Sequence, residues 1–434
     1  MESIWTKDIA VPEFAPLQGD DRTDVLIVGG GLAGLLCAYR LKKAGVDCML
    51  IEADRICQGV SRNTTAKITS QHGLVYGKLL GRFGEEKARL YYEANQKALA
   101  AYKDLAGSIE CDFEEKDSYI YGVSSVSRLE KEMQALQKLH IPGEFTEETP
   151  LPFLVAGAVR FRDQGQFHPL KFAAGIAKEL PIYEQTAARE FKGNRVVTDR
   201  GTITAEKVII ATHFPLINKH GGYFLKMYQQ RSYVLALEGA EDIGGMYLDE
   251  RASGLSLRSH GKYLLVGGGS HRTGKETTGW QKLETFGRIY YPGANTVRRW
   301  AAQDCMTLDN VPYIGQYGRC TPNLYVATGF NKWGMTNSMV SAMVLEELVQ
   351  GRPSAYEELF SPQRSSLRKQ LFLNMGESAA NILTFRKPRC PHLGCALKWN
   401  RRERSWDCPC HGSRFDREGK LMDNPATGDL KKKP

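Results

Sequence analysis

The stretch Asp24-Val-Leu-Ile-Val-Gly-Gly-Gly-Leu-Ala-Gly34 decides the fold of the N-terminal part of the chain. Asp24 to Val28 is a short apolar run that predicts a buried strand, and residues 32–43 carry the apolar face of a helix. Residues 46–52 predict the next strand. This order of strand, tight turn, helix and strand predicts a parallel, doubly wound α/β sheet.

The glycines of this stretch fit the dinucleotide-binding pattern G-x-G-x-x-G, and they lie between a strand and a helix as that pattern requires. Gly29 permits the tight turn, Gly31 lets the backbone approach a pyrophosphate, and Gly34 lets the helix pack closely on the strand. Glu52 ends the second strand, where a carboxylate can accept hydrogen bonds from the adenosine ribose. The predicted cofactor-binding residues here are Gly29, Gly31, Leu32, Ala33, Gly34, Glu52 and Ala53.

Beyond this unit, alternating helical and strand patterns predict a second unit inserted into the first. Helical spacing covers residues 85–105 and 128–139, and a strand pattern covers residues 113–123. Further apolar strands are predicted at 159–162, 208–211, 263–266 and 324–327, with helices at 170–180, 335–349 and 365–383. Several strands run into Gly, Thr or His, as strand ends that face a ligand often do.

Over residues 22–350 the sequence resembles FAD-dependent oxidoreductases of the D-amino acid oxidase type, such as glycine oxidase, sarcosine oxidase and γ-glutamylputrescine oxidase. The resemblance rests on the glycine pattern and on four further segments, which are residues 61–67, 300–304, 309–315 and 327–336. It implies a discontinuous Rossmann-like FAD-binding domain of residues 1–80, 158–222 and 301–365. It also implies an inserted α+β substrate domain of residues 81–157 and 223–300.

In the family, the segment that matches residues 61–67 runs past the flavin. The segment that matches residues 329–336 places backbone N–H groups and a helix N-terminus near the isoalloxazine carbonyl. Negative charge on the reduced ring would be stabilised by that placement. By resemblance, the additional FAD-binding residues are Ser61, Arg62, Lys67, Thr212, Gly329, Gly334, Met335 and Thr336.

The resemblance also points to the residues that would act on the substrate. His271, Tyr233 and Lys332 are the predicted catalytic residues, and Arg231 is a further candidate, because the family places these strands and loops near the flavin. We expect His168 to be structural. We do not expect Cys305 to tether the flavin covalently, because its spacing to Asp309 differs from that of relatives with such a tether.

A metal signature lies near the C-terminal end. Cys390-Pro-His392 and Cys408-Pro-Cys-His411 supply two thiolates and two imidazoles, the ligand set of a Rieske [2Fe-2S] centre. A Cys2His2 zinc site would use the same ligand types. The extra cysteines and glycine turns resemble respiratory-type Rieske loops, which implies a disulfide between Cys395 and Cys410 and a small all-β Rieske domain. That domain, residues 386–430, is abbreviated.

Composition and charge limit the functional classes. Of 434 residues, 42% are hydrophobic and 25% charged, which excludes disordered and fibrous classes. The net charge is +9, and residues 386–434 hold 13 Lys or Arg against six Asp or Glu, so +7 of it belongs to this tail. This basic tail is either solvated surface or a dock for an acidic partner, and without interleaved aromatic residues it does not favour nucleic acid. No transmembrane segment or secretory signal is predicted, so we expect a cytoplasmic protein.

These features predict an enzyme that oxidises a small amine or amino acid by hydride transfer to FAD. Electrons would then pass through the Rieske cluster to an external acceptor, a protein or a quinone. One alternative is an electron-transfer reductase fed by NAD(P)H, although the sequence offers no second complete nucleotide pattern. Others are a simple flavin amine oxidase with a zinc tail that has no redox role, and a protein that senses redox state or binds without catalysis.

Overall fold

The computed structural model describes residues 2–7, 9–218, 220–251, 254–275, 277–385 and 388–431. Arg386, where the predicted Rieske domain begins, lies outside these residues. Of the chain described, no helix is both long enough and apolar enough to cross a bilayer.

Helices and strands alternate along most of the chain. The helices are α1 (Leu32–Lys43), α2 (Tyr76–Ala106), α3 (Ser127–Lys138), α4 (Pro169–Ala177), α5 (Tyr223–Lys226), α6 (Gln281–Tyr290), α7 (Gly334–Val349), α8 (Glu357–Phe360) and α9 (Lys369–Leu383). The strands are β1 (Asp21–Val28), β2 (Cys48–Ile51), β3 (Lys67–Ile68), β4 (Glu114–Gly122), β5 (Glu144–Thr146), β6 (Gly157–Gln166), β7 (Ile182–Tyr183), β8 (Ala188–Lys192), β9 (Arg195–Thr198), β10 (Thr202–Ile210), β11 (Met227–Glu238), β12 (Met246–Asp249), β13 (Ser256–His260), β14 (Tyr263–Arg272), β15 (Asn295–Thr307), β16 (Tyr313–Gln316), β17 (Leu324–Thr328), β18 (Lys398–Asn400), β19 (Ser405–Asp407), β20 (Arg414–Phe415) and β21 (Leu421–Asp423).

The first sheet is built around β1, the strand that the opening stretch predicts. Its central order is β16-β17-β10-β1-β2-β7, and β1 is parallel to both β10 and β2. Helices α1 and α7 pack against each other beside it. Because parallel strands end at the same edge, the loops after β1, β10 and β17 meet there.

The second sheet is mostly antiparallel and has the order β15-β11-β14-β13-β12-β4-β6-β3. The segment 158–222 contributes to both sheets, since β6 belongs to the second sheet and β7 to β10 belong to the first. His168 precedes α4, and its Nδ1 accepts a hydrogen bond of 3.2 Å from the backbone N–H of Lys171. A capping role of this kind is structural, as expected for this histidine.

The C-terminal part forms a separate four-stranded antiparallel sheet, β18-β19-β20-β21. Helix α9 connects it to the rest of the chain. The predicted fold class is therefore confirmed, a mixed α/β body followed by a small all-β domain. Several elements are longer than predicted, since α2 begins nine residues before the expected 85 and β14 ends six residues after the expected 266. The helix expected at 365–383 begins only at Lys369.

Candidate functional site

The glycine turn between β1 and α1 leaves room for a ligand next to the backbone. Gly29 has a φ of +114°, and a Cβ there would lie 2.7 Å from the carbonyl oxygen of Ala211. A Cβ on Gly34 would collide with the carbonyl oxygen of Gly29. Gly31 caps α1 without any side-chain hydrogen bond of its own, so the N–H groups that follow Leu32 in the first turn are available to an anion.

Glu52 lies beside this turn at the end of β2. Its carboxylate accepts hydrogen bonds of 2.6 Å from Gly30 N–H and 3.0 Å from Asp54 N–H. Burial raises the pKa of Glu52, and the two backbone N–H groups oppose that rise. Each oxygen retains a lone pair that can accept a ribose hydroxyl, so these residues fit the adenosine end of FAD.

The segment 61–67 reaches both sheets. Ser61 Oγ accepts a hydrogen bond of 3.0 Å from Leu32 N–H, which places this hydroxyl on the first turn of α1. Arg62 bonds to Gln58. Lys67 donates to Tyr247 O at 2.8 Å and to Ser256 Oγ at 2.6 Å, and burial, aided by Arg258, lowers its pKa to about 7.

The predicted flavin loops lie at the same edge of the first sheet. Thr212 follows β10, and its backbone nitrogen is a neighbour of the Gly29 turn. Gly329 has a φ of +73°, and Thr307 leaves no space there for a Cβ. Helix α7 begins at Gly334 without a side-chain cap, and Thr336 Oγ1 lies 3.0 Å from Nε2 of His72. Met335 accepts a hydrogen bond at its carbonyl oxygen from the Tyr102 hydroxyl, over 2.9 Å.

A polar cluster lies between this edge and the second sheet. Lys332, whose φ is +74°, donates to Ser270 Oγ at 2.6 Å, and that oxygen lies 3.0 Å from Ser232 Oγ. Burial lowers the pKa of Lys332 and raises that of Asp304, while the attraction between the two opposes both shifts. The cluster thus offers an amine and a carboxylate next to the predicted flavin loops.

Tyr233 and His271 lie on the opposite face of the second sheet. Their rings stack with centroids 5.7 Å apart, and the Tyr233 hydroxyl donates to Glu403 Oε1 at 3.1 Å. Arg231 donates through Nε to both oxygens of Glu403, at 3.0 and 3.1 Å. Burial raises the pKa of Tyr233 and lowers that of His271, so both rings are neutral.

The period of two residues along β11 explains this division. Ser232 and Val234 face the first sheet. Val234 belongs to the apolar core that also contains residues of β1 and α1. Arg231 and Tyr233 face the other way, toward α6 and the C-terminal domain. The three predicted catalytic residues therefore do not converge, because Lys332 meets one face of the strand while Tyr233 and His271 lie on the other.

Sequence reasoning overlooked Glu403 and Asp304. Glu403 sits within the basic tail, which predicted either a solvated surface or a dock for an acidic partner, yet its side chain is only 4% exposed. A single acid among three arginines was the available signal. For Asp304, the sequence offered no signal beyond its place in residues 300–304, a segment that matches the family.

The two predicted metal-binding loops have the same backbone geometry. In the first, Gly394 N–H donates to Cys390 O at 2.9 Å, and Cys390 N–H donates to Cys395 O at 2.9 Å. In the second, Gly412 N–H donates to Cys408 O at 3.0 Å, and Cys408 N–H donates to Ser413 O at 2.8 Å. Both glycines have positive φ, +74° and +93°. Each loop thus presents its first cysteine in the same way.

The ligand side chains meet between these loops. A hydrogen bond between the thiols of Cys390 and Cys408 lowers the pKa of Cys390 to about 7 against the opposing effect of burial. The rings of His392 and His411 lie 4.9 Å apart, and both Nδ1 atoms are buried without a hydrogen-bond partner among the described residues. Burial lowers the pKa of His392 to about 4 and that of His411 to about 3. Neutral imidazoles and adjacent thiols fit a Rieske [2Fe-2S] cluster.

Cys395 and Cys410 form a disulfide that joins the two loops, with their Cα atoms 6.7 Å apart. The sulfur atoms of Cys395, Cys408 and Cys410 all lie within 4.8 Å of one another, a grouping that could also hold a metal. Because the disulfide occupies two of these three sulfurs, Cys390 and Cys408 keep the free thiols of the domain, in agreement with their choice as the predicted cysteine ligands.

Both predicted ligand histidines contact the flavin-side body, and His411 is buried there. His392 Nε2 lies 3.0 Å from Asn218 Oδ1, and its ring contacts that of Phe214 at 6.3 Å. The ring of His411 contacts Phe224 at 6.1 Å. The segment that holds these partners starts at Thr212, next to the glycine turn. The metal-binding loops therefore dock beside the predicted FAD site.

Comparison with known proteins agrees with this division of the chain. Residues 24–348 match the family described as FAD dependent oxidoreductase, and residues 367–434 match the Rieske [2Fe-2S] domain. The chain is 34% identical to YhfW of Bacillus subtilis (strain 168), described as a Rieske 2Fe-2S iron-sulfur protein, over 99% of this chain and 97% of that protein. It is 24% identical to the gamma-glutamylputrescine oxidoreductase of Escherichia coli (strain K12), over 79% of this chain and 87% of the relative.

Among solved structures, the glycine oxidase of Geobacillus kaustophilus has a similar fold. The TM-score is 0.67 at 20% identity, and the match covers 79% of this chain and 99% of the glycine oxidase. The similarity supports the fold of the larger body, with the C-terminal domain as an addition.

Proposed function

This chain belongs to the family of FAD-dependent oxidoreductases and ends in a Rieske [2Fe-2S] domain, and from that premise we propose that it oxidises a small amine or amino acid and delivers the electrons through the cluster to an outside acceptor. FAD and a [2Fe-2S] cluster are its cofactors. The acceptor is a quinone or a protein, and an acidic protein would complement the basic tail.

The proposed reaction is a two-electron oxidation of the donor. The donor loses a hydride and a proton as its C–N single bond becomes C=N. FAD, when bound, accepts two electrons as a hydride, whereas the cluster carries one electron at a time. Each donor molecule therefore yields two single-electron transfers to the acceptor and releases two protons.

One observation carries the proposal, namely the docking of the ligand loops on the flavin-side body. Asn424, next to the second loop in space, donates to Thr212 O at 2.6 Å and to Phe214 O at 3.2 Å. Gln229 of β11 donates to the carbonyl oxygen of His411 at 2.9 Å. An electron leaving the flavin site would thus meet the cluster within the same molecule. A plain oxidase that passes electrons to oxygen would not need this arrangement.

The polar cluster around Lys332 supports an amine or amino acid as donor. Asp304 offers a carboxylate for an amino group, and Lys332 and Ser270 offer donors for a carboxylate or for the flavin. We assign Lys332 to the reacting face. We assign Tyr233 and His271 to the interface with the Rieske domain, because Glu403 occupies the Tyr233 hydroxyl.

We also propose that the protein works in the cytoplasm, as its sequence suggested. Six cysteines outside the C-terminal domain carry free thiols, and that of Cys320 is exposed. Exposed thiols persist in a reducing compartment.

An anaerobic reductive titration tests the proposal. The purified holoprotein would be mixed with a panel of amines and amino acids, with flavin absorbance and the low-temperature EPR signal of the cluster recorded in parallel. We expect one donor class to bleach the flavin and then to produce the rhombic Rieske signal.

Two results would overturn it. Bleaching by NADPH alone, with no response to amines, would make the protein a pyridine-nucleotide reductase. Flavin reduction without an EPR signal, together with zinc in the purified protein, would make it a flavin amine oxidase with a structural tail.

A further inference from the structure

Helix α9 has its polar side turned inward and its apolar side turned outward. Its two buried residues are Asn374 and Asn381. After Lys369, its exposed large side chains are apolar, namely Phe372, Leu373, Met375, Ile382 and Leu383, with exposed fractions of 43–74%. A helix on the surface of a globular protein normally shows the reverse pattern.

Hydrogen bonds on the inner side fix this orientation. Asn374 accepts from Arg272 Nη1 at 2.9 Å and donates to Leu225 O at 3.1 Å, so it joins the helix to the flavin-side body. Asn381 accepts from Ala396 N–H at its backbone oxygen at 3.0 Å, which joins the helix to the first metal-binding loop. The helix could not turn its apolar side inward without losing these bonds.

The outward side is uncharged after the first residue of the helix. Gly376, Ala379 and Ala380 are exposed between the larger apolar side chains. The apolar surface continues past the helix to Phe385, which is 99% exposed, and to Leu393 in the first metal-binding loop, which is 38% exposed. No other part of the described chain covers this side. An apolar patch of this kind on a folded protein marks an interaction surface.

Basic residues flank the apolar side at both ends. Arg368 and Lys369 lie at the start of the helix, and Arg389 is exposed beyond its end. The sequence adds Arg386 and Lys387 between Phe385 and Arg389. An uncharged apolar side between two positive ends complements a surface that is apolar inside and anionic outside.

We propose that α9 and its flanking residues dock the protein on the surface of an anionic lipid bilayer. A helix of 15 residues is about 22 Å long, shorter than the roughly 30 Å hydrocarbon core, so it lies on the bilayer and does not span it. Pairing with a second copy is disfavoured by charge, because an antiparallel pair would bring positive ends together. The docked helix brings Leu393, and with it the first metal-binding loop, to the lipid surface. The dock does not depend on the proposed reaction.

Vesicle co-sedimentation of the full-length holoprotein tests the proposal. Vesicles of phosphatidylcholine alone would be compared with vesicles that also contain phosphatidylglycerol. We expect binding to the anionic vesicles that weakens with salt. The variants Phe372→Ser and Leu383→Ser should each weaken it about tenfold, since each removes an apolar group worth at least about 1.5 kcal/mol when buried.

Matched controls separate this effect from misfolding. Leu154→Ser changes a leucine that is 92% exposed in another part of the chain and should leave vesicle binding unchanged. Flavin absorbance and the EPR signal should be the same in all variants, because the substituted side chains are exposed. Lack of binding to anionic vesicles would overturn the proposal, and so would a dimer in light scattering that Phe372→Ser converts to a monomer.

Discussion

The flavin-binding body and the Rieske domain build their cores by different means. Around β1 the core is a continuous apolar cluster from two sheets and the helices beside them. The core of the Rieske domain has seven buried members, Cys390, Cys395, Leu397, Cys408, Cys410, Phe415 and Ala426. Four of these seven are cysteines. A domain this small needs covalent, metal or docking support, whereas the larger body has an extensive apolar core to stabilise it.

The largest expected effect comes from removing a metal ligand. We expect Cys408→Ser to abolish the Rieske EPR signal and to make the region after α9 sensitive to protease, because the cluster supplies part of the folding free energy of that domain. The flavin spectrum should remain. Cys320→Ser is the matched control, since it removes an exposed free thiol and should change none of these measurements. Loss of flavin together with the cluster would contradict the independence of the two cores.

A substitution in the glycine turn of the flavin-binding body should leave the Rieske domain unchanged. We expect Gly31→Val to weaken FAD binding at least a hundredfold while the fold persists, because the nearest atom to a Cβ there is Ser61 Oγ at 3.5 Å. The new side chain would instead fill the path of the pyrophosphate. Fluorescence titration of the apoprotein with FAD measures this. Gly59→Ala, with open space around its Cβ, should bind FAD normally.

Substitution of Glu403, at the interface between the flavin-binding body and the Rieske domain, should have an effect of intermediate size on stability. Burial alone would raise the pKa of Glu403, but Arg231 and Arg414 hold it at about 2 instead of 4.5. The stabilisation, roughly 3 kcal/mol, is complete above pH 4.5 and is lost as the pH falls toward 2. We expect Glu403→Gln to remove that acid dependence and to increase hydrogen exchange in β11 and in β18 to β21. Unchanged hydrogen exchange would show that other contacts hold the Rieske domain against the flavin-binding body.

The smallest effect should follow Asn218→Ala. If His392 binds the cluster through Nδ1, its Nε2 carries the proton and donates a hydrogen bond to Asn218 Oδ1. Loss of this acceptor makes the imidazole less electron-rich, so the midpoint potential should rise by roughly 20–60 mV, the equivalent of about 0.5–1.5 kcal/mol for one electron. A redox titration followed by EPR measures the shift. A fall in the midpoint potential would contradict the expected direction of the shift.

The sequence predicted features that depend on a few neighbouring residues. Gly29 to Gly34 and the loops at Cys390 and Cys408 form local turns with fixed geometry, so their spacing alone indicated two cofactor sites. The predicted disulfide between Cys395 and Cys410 is present. The face on which Tyr233 lies could not be predicted, since it depends on which partner covers each side of β11. The outward orientation of the apolar side of α9 could not be predicted either. The sequence pattern shows that the helix has an apolar side but not which surface that side contacts.

The alternation along β11 also has a consequence for protein engineering. Gln229, Arg231 and Tyr233 form one row whose side chains all hydrogen-bond to the C-terminal domain, while Ser232 between them contacts Ser270 on the flavin side. Because alternate residues of a strand lie on opposite faces, the row that meets the C-terminal domain can be changed while the flavin-side row is kept. Transplanting this row of three, together with Gln303 and Arg272, is the natural starting point for fitting the C-terminal domain to another sheet of the same shape.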